Sequence, residues 1–133
     1  MSYSTDGYGF CVDHINTTAE KVVALASTNR YTLSAIQFLA KGIKCELNEL
    51  TLEDLDSGMG VAYTLKEVIS QELPVVQTED FAGQNFILFE PTYPWSRSEK
   101  NYSREEVDEI YRKYIKLLTD EDINIGYQTV END

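Results

Sequence analysis

The sequence contains few of the residues on which most catalytic and metal sites depend. Among its 133 residues are one histidine and two cysteines. Nucleophilic catalysis needs a base beside the nucleophile, and structural zinc needs four soft ligands. His14, Cys11 and Cys45 show neither a CxxC nor an HxxxH spacing. We therefore predict no zinc site and no cofactor.

Basic residues are also scarce. The chain has 11 Lys and Arg residues against 23 Asp and Glu residues, and its formal net charge is -12. Because phosphate groups are bound by positive surfaces, this balance argues against nucleic acid or an anionic membrane as a direct ligand. It favours a cationic partner or metal ions, although acidity can also serve solubility alone.

The chain lacks a long hydrophobic run, and it does not start with a basic segment followed by an apolar one. Its uncharged stretch at 31–40 has about half the length that a membrane span requires. We therefore expect a cytoplasmic protein with two reduced thiols.

Two helices are predicted in the first third of the chain. Thr17 and Glu20 have the spacing of a capping box, ahead of apolar residues spaced for a helix over about 18–27. A second predicted helix over 32–42 is apolar around most of its circumference. Since such a helix is buried on more than one face, we expect it to be the central core helix.

The clearest predicted helix begins after Ser103, which forms a second capping box with Glu106. Apolar residues at helical spacing trace one stripe over 107–118. The same segment carries two oppositely charged pairs four residues apart, Asp108–Arg112 and Glu109–Lys113.

The sequence pattern in the middle of the chain allows more than one secondary structure. Residues 46–56 fit either a short helix capped by Thr51 or a solvated loop. A short helix is predicted over 65–72. The two Gly-x-Gly segments, at 7–9 and 58–60, are predicted as tight turns, the first leading into a short strand.

The remaining patterns predict strands. Apolar residues at 75–78 and 85–90 flank a link with Asp80 and Gly83, which favours an antiparallel hairpin. Alternation over 123–129 predicts a closing strand. We therefore predict a single α+β domain over 1–133, with an antiparallel or mixed sheet of about four strands and three to four helices packed on it.

Two chemical alternatives stay open. Cys11 and His14 are close enough in sequence to suggest a small enzyme or ligand-binding domain. A calcium-linked module is the other, because five oxygen-bearing side chains have EF-hand spacing, although Ile125 stands where the loop needs glycine. Those five are Asp120, Asp122, Asn124, Gln128 and Glu131.

Two stretches, 46–56 and 120–133, contain acids without a single base. Such stretches attract basic protein surfaces, so a compact acidic domain can compete with nucleic acid for a nuclease channel. Tyr93 and Trp95 are candidate aromatic anchors, because Tyr and Trp are enriched at interface centres. The acidic residues predicted to contact a partner are Glu46, Glu49, Glu53, Asp54, Asp56, Asp120, Glu121 and Asp122.

The short, acidic, tyrosine-rich chain, with its opening Tyr8-Gly9-Phe10-Cys11-Val12-Asp13, resembles small proteins carried by bacteriophages and mobile elements. The likeness is one of character and includes no defining motif. Some proteins of that kind are anti-CRISPR or antirestriction inhibitors. The resemblance implies a non-enzymatic nucleic-acid mimic in a bacterial host cell, bound to a nuclease-type defence protein. An immunity protein that neutralises a toxin is the alternative inhibitor.

Overall fold

The computed structural model describes residues 3–58, 60–89 and 102–132. Within these ranges the chain forms a four-stranded antiparallel sheet and five α-helices, which confirms the predicted α+β class. Short 3-10 turns lie at Val12–His14 and Leu47–Glu49. The strands are β1 (Tyr3–Cys11), β2 (Val76–Glu79), β3 (Asn85–Phe89) and β4 (Gly126–Asn132), and the helices are α1 (Ala19–Ala26), α2 (Arg30–Ile43), α3 (Leu52–Gly58), α4 (Gly60–Ile69) and α5 (Arg104–Ile115).

The strand order is β2-β3-β1-β4, so β1 pairs on both of its edges. Phe10 of β1 lies opposite Ile87 of β3, and both are fully buried. The helices cover this face of the sheet and form the main core with it. Core residues contributed by the helices include Val22, Ile36, Leu65 and Tyr111.

The predicted turn at residues 7–9 is wrong, because β1 runs straight through both glycines. Gly9 lies opposite Leu88, and a Cβ atom at Gly9 would come within 1.7 Å of the Ile87 carbonyl oxygen. Glycine here permits a close approach of two strand backbones, which is the other use of glycine inside a strand.

The face of the sheet that points away from the main core carries a smaller buried group, Cys11, Leu88 and Val130. The β2–β3 hairpin bends toward β4, where the Phe81 N–H donates to the Glu131 carbonyl oxygen at 3.3 Å. The two edge strands of the sheet therefore approach each other, and the sheet curls around this second group.

The hairpin is confirmed, and Asp80 organises its turn. The Asp80 Oδ1 atom accepts hydrogen bonds from the backbone N–H groups of Ala82 and Gln84, at 2.9 and 2.8 Å. Gly83 has a φ of 86°, which glycine adopts without strain. The closing strand was predicted too early: β4 begins at Gly126, and it buries Val130 while Tyr127 is 70% exposed.

The first helix is confirmed with a different cap. Thr18, rather than Thr17, accepts the hydrogen bond from the Lys21 N–H, at 3.3 Å. The predicted box with Glu20 is therefore wrong by one residue, and α1 spans Ala19–Ala26.

The second helix differs most from its prediction. It buries Thr32, Ile36 and Ala40, whereas Phe38 is 82% exposed and Tyr31 is 58% exposed. The expectation of a central helix buried on several faces is wrong, because the other elements cover only one side of α2.

Of the two predicted forms of residues 46–56, the short helix capped by Thr51 is confirmed and the solvated loop is wrong. Thr51 and Asp54 cap α3 reciprocally: each side chain accepts from the other residue's backbone N–H, at 3.1 and 3.0 Å. The following helix, predicted over 65–72, is α4 and begins already at Gly60, whose φ of 77° allows the chain to turn there.

The last helix follows its prediction closely. Ser103 caps α5 by accepting from the Glu106 N–H at 3.1 Å, and Arg112 pairs with Asp108 at 2.7 Å. Two details differ. Lys113 pairs with Glu72 at 2.6 Å instead of Glu109, and Leu117, in the predicted stripe, is 55% exposed.

Candidate functional site

The acidic segment 46–56 combines structural and solvent-facing carboxylates. The Glu49 carboxylate accepts from the Glu46 N–H at 2.9 Å, and Asp54 caps α3. Glu46, Glu53 and Asp56 are exposed, and no Lys or Arg among the described residues lies within ion-pair distance of these three. Their charge is therefore open to a partner.

The pKa of the Cys45 thiol responds to the negative charges of this segment. Partial burial raises the pKa of its thiol above the usual value, and the carboxylates of Glu49, Asp54 and Glu46 raise the pKa further. Each carboxylate disfavours the thiolate because like charges repel. Three of the predicted contact residues thus raise the pKa of the same thiol.

In the second acidic segment, 120–133, the predicted contact residues Asp120, Glu121 and Asp122 lie between α5 and β4, and all three are exposed. It borders a depression of about 160 Å³ that Arg112 and Lys116 also line. Those two bases offset part of its charge. The segment is therefore a weaker anionic surface than 46–56.

One side chain links the second segment to a cleft that the first segment lines. The Asn16 side-chain amide donates to both carboxylate oxygens of Glu121, at 3.3 and 3.4 Å. Asn16 also lines a cleft of about 490 Å³, whose lining includes Asp56 from the first segment. Asp56 of the first segment therefore lines the cleft, and Glu121 of the second is bonded to another of its lining residues.

Sequence reasoning missed the cleft, because its lining comes from separate parts of the chain. Asp13 follows β1, Asp56 lies on α3, and Asn85 begins β3. The Asp13 Oδ2 atom accepts from the Asn85 N–H at 2.7 Å, which fixes that carboxylate against the sheet. Only the acidic character of residues 13 and 56 was visible in the sequence.

The pair Cys11 and His14 does not form a catalytic arrangement among the described residues. Burial raises the pKa of the Cys11 thiol, and the backbone N–H groups of Asp13 and His14 offset this only in part. A protonated thiol is a poor nucleophile. His14 is exposed, and the groups that shift the pKa of the Cys11 thiol include the backbone N–H of His14 but not its imidazole.

The residues with EF-hand spacing do not wrap around a common point, because Gln128 and Glu131 lie in the extended strand β4. In the part of the chain that the structure describes, no three His, Cys, Asp or Glu side chains are grouped so as to hold a metal ion.

The predicted aromatic anchors, Tyr93 and Trp95, lie outside the described residues. Among the described aromatic side chains, Phe38, Phe81 and Tyr127 are each more than two-thirds exposed. None of these three was predicted to contact a partner.

Comparison with known proteins found no matching family model, no matching curated protein and no matching solved structure. Within the described residues, every helix is too short or too polar to cross a bilayer.

Proposed function

We propose that this chain is a non-enzymatic inhibitor of a nuclease-type defence protein in the cytoplasm of a bacterial cell. It binds the basic surface that nucleic acid would otherwise occupy. The observation that carries the proposal is an acidic cleft with a residue of each acidic segment at or next to its lining: Asp56 lines it, and Glu121 bonds to the lining residue Asn16.

The mechanism is electrostatic competition. A basic nuclease surface and an acidic domain attract each other at long range, which raises association rates by roughly 10- to 1,000-fold. Glu46, Glu53 and Asp56 can supply this attraction because they are exposed and lack an ion-pair partner within the described residues. We assign the main contact to segment 46–56, since Arg112 and Lys116 offset part of the negative charge of the other acidic segment.

The test compares capture by three forms of the full chain. The first is the wild-type protein, and the second carries Glu46→Lys, Glu53→Lys and Asp56→Lys. The third is a matched control with the same change in net charge, Asp6→Lys, Glu105→Lys and Glu109→Lys, at exposed positions on β1 and α5 outside both acidic segments. Each form is immobilised, exposed to a bacterial lysate at low salt, and washed with duplex DNA. Released proteins are identified by mass spectrometry.

We expect the wild type and the control to retain a nuclease that duplex DNA releases, and the first triple variant to lose it. The purified nuclease should then cleave DNA more slowly when the wild-type chain is added. Equal capture by both triple variants contradicts the proposal. So does a captured protein whose DNA cleavage the chain leaves unchanged. Capture of a toxin whose activity the chain blocks supports the immunity-protein alternative and overturns the nuclease assignment.

A further inference from the structure

The cleft beside Asn16 combines anionic, amide and apolar surfaces. Asp13 and Asp56 contribute carboxylates from two separate elements, and Gln77 and Asn85 contribute side-chain amides from neighbouring strands. Among the described residues that line it, none is a lysine, arginine or histidine. The cleft therefore presents an uncompensated negative charge inside a concave surface.

Hydrogen bonds hold the polar groups of the cleft in place before any ligand arrives. Asp13 is fixed through its Oδ2 atom by the Asn85 N–H, and Gln77 donates its side-chain amide to Asn85 Oδ1 at 3.1 Å. These bonds leave Asp13 Oδ1 and Gln77 Oε1 without a donor among the described residues. Both atoms are acceptors, so the cleft suits a ligand that is rich in donors.

Apolar side chains complete the lining. Val12, Leu52 and Val61 belong to the same cleft as the carboxylates. A long side chain with an aliphatic stem and a charged head can cover such apolar surface while its head reaches the acceptors. The volume, about 490 Å³, lies within the range of ordinary binding pockets.

We propose that this cleft receives an arginine side chain from the partner protein. The guanidinium group is planar, always charged and carries five N–H donors, so it can serve several acceptors of the cleft at once, whereas an ammonium group has three donors. The inference rests on the proposed function, because nucleic-acid-binding surfaces owe their charge to Arg and Lys. It adds that one arginine of that surface is bound in a defined cleft, in addition to the general attraction of charge.

The test uses the full chain and a small probe, N-acetyl-arginine amide, followed by ¹H–¹⁵N NMR titration. N-acetyl-lysine amide and N-acetyl-citrulline amide serve as comparison ligands, since citrulline keeps the shape of arginine without its charge. Asp13→Asn removes one carboxylate and keeps an oxygen for the Asn85 N–H. Gln77→Trp fills the cleft at an exposed strand position without a change in charge. Asp6→Asn and Thr129→Trp are the matched controls, at exposed strand positions away from the cleft.

We expect saturable shifts at residues of the cleft with the arginine probe, weaker ones with lysine and none with citrulline. Asp13→Asn should weaken arginine binding by about tenfold or more, the size expected for a lost charge-assisted hydrogen bond. Gln77→Trp should weaken it at least as much, because the indole ring occupies the space of the ligand. The controls should bind as the wild type does. Shifts that never saturate, equal binding of citrulline, or unchanged binding by both cleft variants overturn the proposal.

Capture of the nuclease separates this inference from the proposed function. Suppose that Gln77→Trp captures the nuclease as well as the wild type, while the charge-reversal variant with lysine at Glu46, Glu53 and Asp56 does not. The arginine cleft is then wrong and the inhibitor proposal stands. If the reversal has no effect on capture, the inhibitor proposal fails, whatever the arginine probe shows.

Discussion

The Asn16 side-chain amide donates to both oxygens of the Glu121 carboxylate, which lies 105 residues further along the chain. This contact places the segment that follows α5 beside the segment that follows β1. Through it, a residue of the second acidic segment lies next to the lining of the cleft to which Asp56 of the first segment belongs. The proposed binding surface is thus a product of the fold.

The first prediction concerns the close approach of β1 and β3. Gly9→Ala should destabilise the protein by about 3 kcal/mol or more, because overpacking at a site that cannot relax is costly. The added Cβ would meet the Ile87 carbonyl oxygen, which is backbone and cannot turn away. Urea unfolding followed by circular dichroism measures the change.

Gly42 provides the matched control for Gly9. It lies in α2 with open space around its missing Cβ, so Gly42→Ala should stabilise the helix by about 0.5–1 kcal/mol. If Gly9→Ala unfolds at the same urea concentration as the wild type, the described strand pairing is wrong.

The second prediction concerns the buried hydroxyl that joins α5 to the sheet. Tyr111 is fully buried, and its hydroxyl donates to the Tyr8 carbonyl oxygen at 2.7 Å. Tyr111→Phe leaves that carbonyl without this donor, which should cost about 1–3 kcal/mol of unfolding free energy. Tyr127→Phe, at an exposed position, should change stability by less than about 0.5 kcal/mol. Equal effects of the two substitutions in urea unfolding contradict this role for Tyr111.

The third prediction concerns acid stability. Burial alone raises the pKa of Asp108, but hydrogen bonds from Arg112 and Tyr8 outweigh burial and hold this pKa below its usual value. A carboxyl with a depressed pKa stabilises the folded state above its unfolded pKa, and this stabilisation is lost as the pH falls through the folded pKa.

Asp108→Asn removes this contribution. The wild type should be more stable than the variant at neutral pH, and the difference should shrink as the solution is acidified. Urea midpoints across the acid range test this, with the exposed Glu109→Gln as the control. A difference that stays constant down to strongly acidic pH contradicts the assignment.

The fourth prediction tests whether the carboxylates of segment 46–56 together raise the pKa of the Cys45 thiol. Alkylation of Cys45 by uncharged iodoacetamide requires the thiolate, so its pH profile reports the thiol pKa. Glu46→Gln with Glu49→Gln should move the profile to lower pH, because two neighbouring negative charges are lost. The glutamine at position 49 still has an oxygen for the cap.

The control for Cys45 is Asp120→Asn with Asp122→Asn, which removes two charges from the other acidic segment. Its alkylation profile should match that of the wild type, with the modified cysteine located by mass spectrometry. Identical profiles for the wild type, the Glu46 and Glu49 variant and this control would show that the carboxylates of segment 46–56 do not raise the pKa of the Cys45 thiol.

Local signals in the sequence predict local structure well in this chain. The α5 helix follows from Ser103 and Glu106, and the hairpin follows from Asp80 and Gly83, because caps and turns act over a few residues. The fold class follows from the order of such elements.

Properties that depend on distant contacts could not be predicted. The glycines of β1 have the sequence pattern of a turn, and the sequence does not show that β3 packs against them. Phe38 of α2 was expected to be buried, because apolar composition does not say which side of a helix is covered. In both cases contacts with residues that are distant in sequence determine the structure.

The candidate site was predicted only in part for the same reason. The acids of 46–56 were visible as a run without bases, and they remain largely exposed. The cleft was not visible, because Asp13, Asp56 and Asn85 are joined only by folding. The two bases that border the second segment come from the preceding helix: Arg112 lies in α5, and Lys116 is the residue that follows its end.

The most direct test of the central claim is the salt dependence of binding between this chain and the captured nuclease. Dissociation constants are measured by isothermal titration calorimetry from about 0.05 to 0.5 M salt, a range over which screening shortens from beyond about 10 Å to a few ångströms. The account predicts that the wild type loses affinity steeply as salt rises, and that the Glu46, Glu53 and Asp56 reversal binds weakly at every concentration. An affinity that does not change with salt, equal for both proteins, contradicts it.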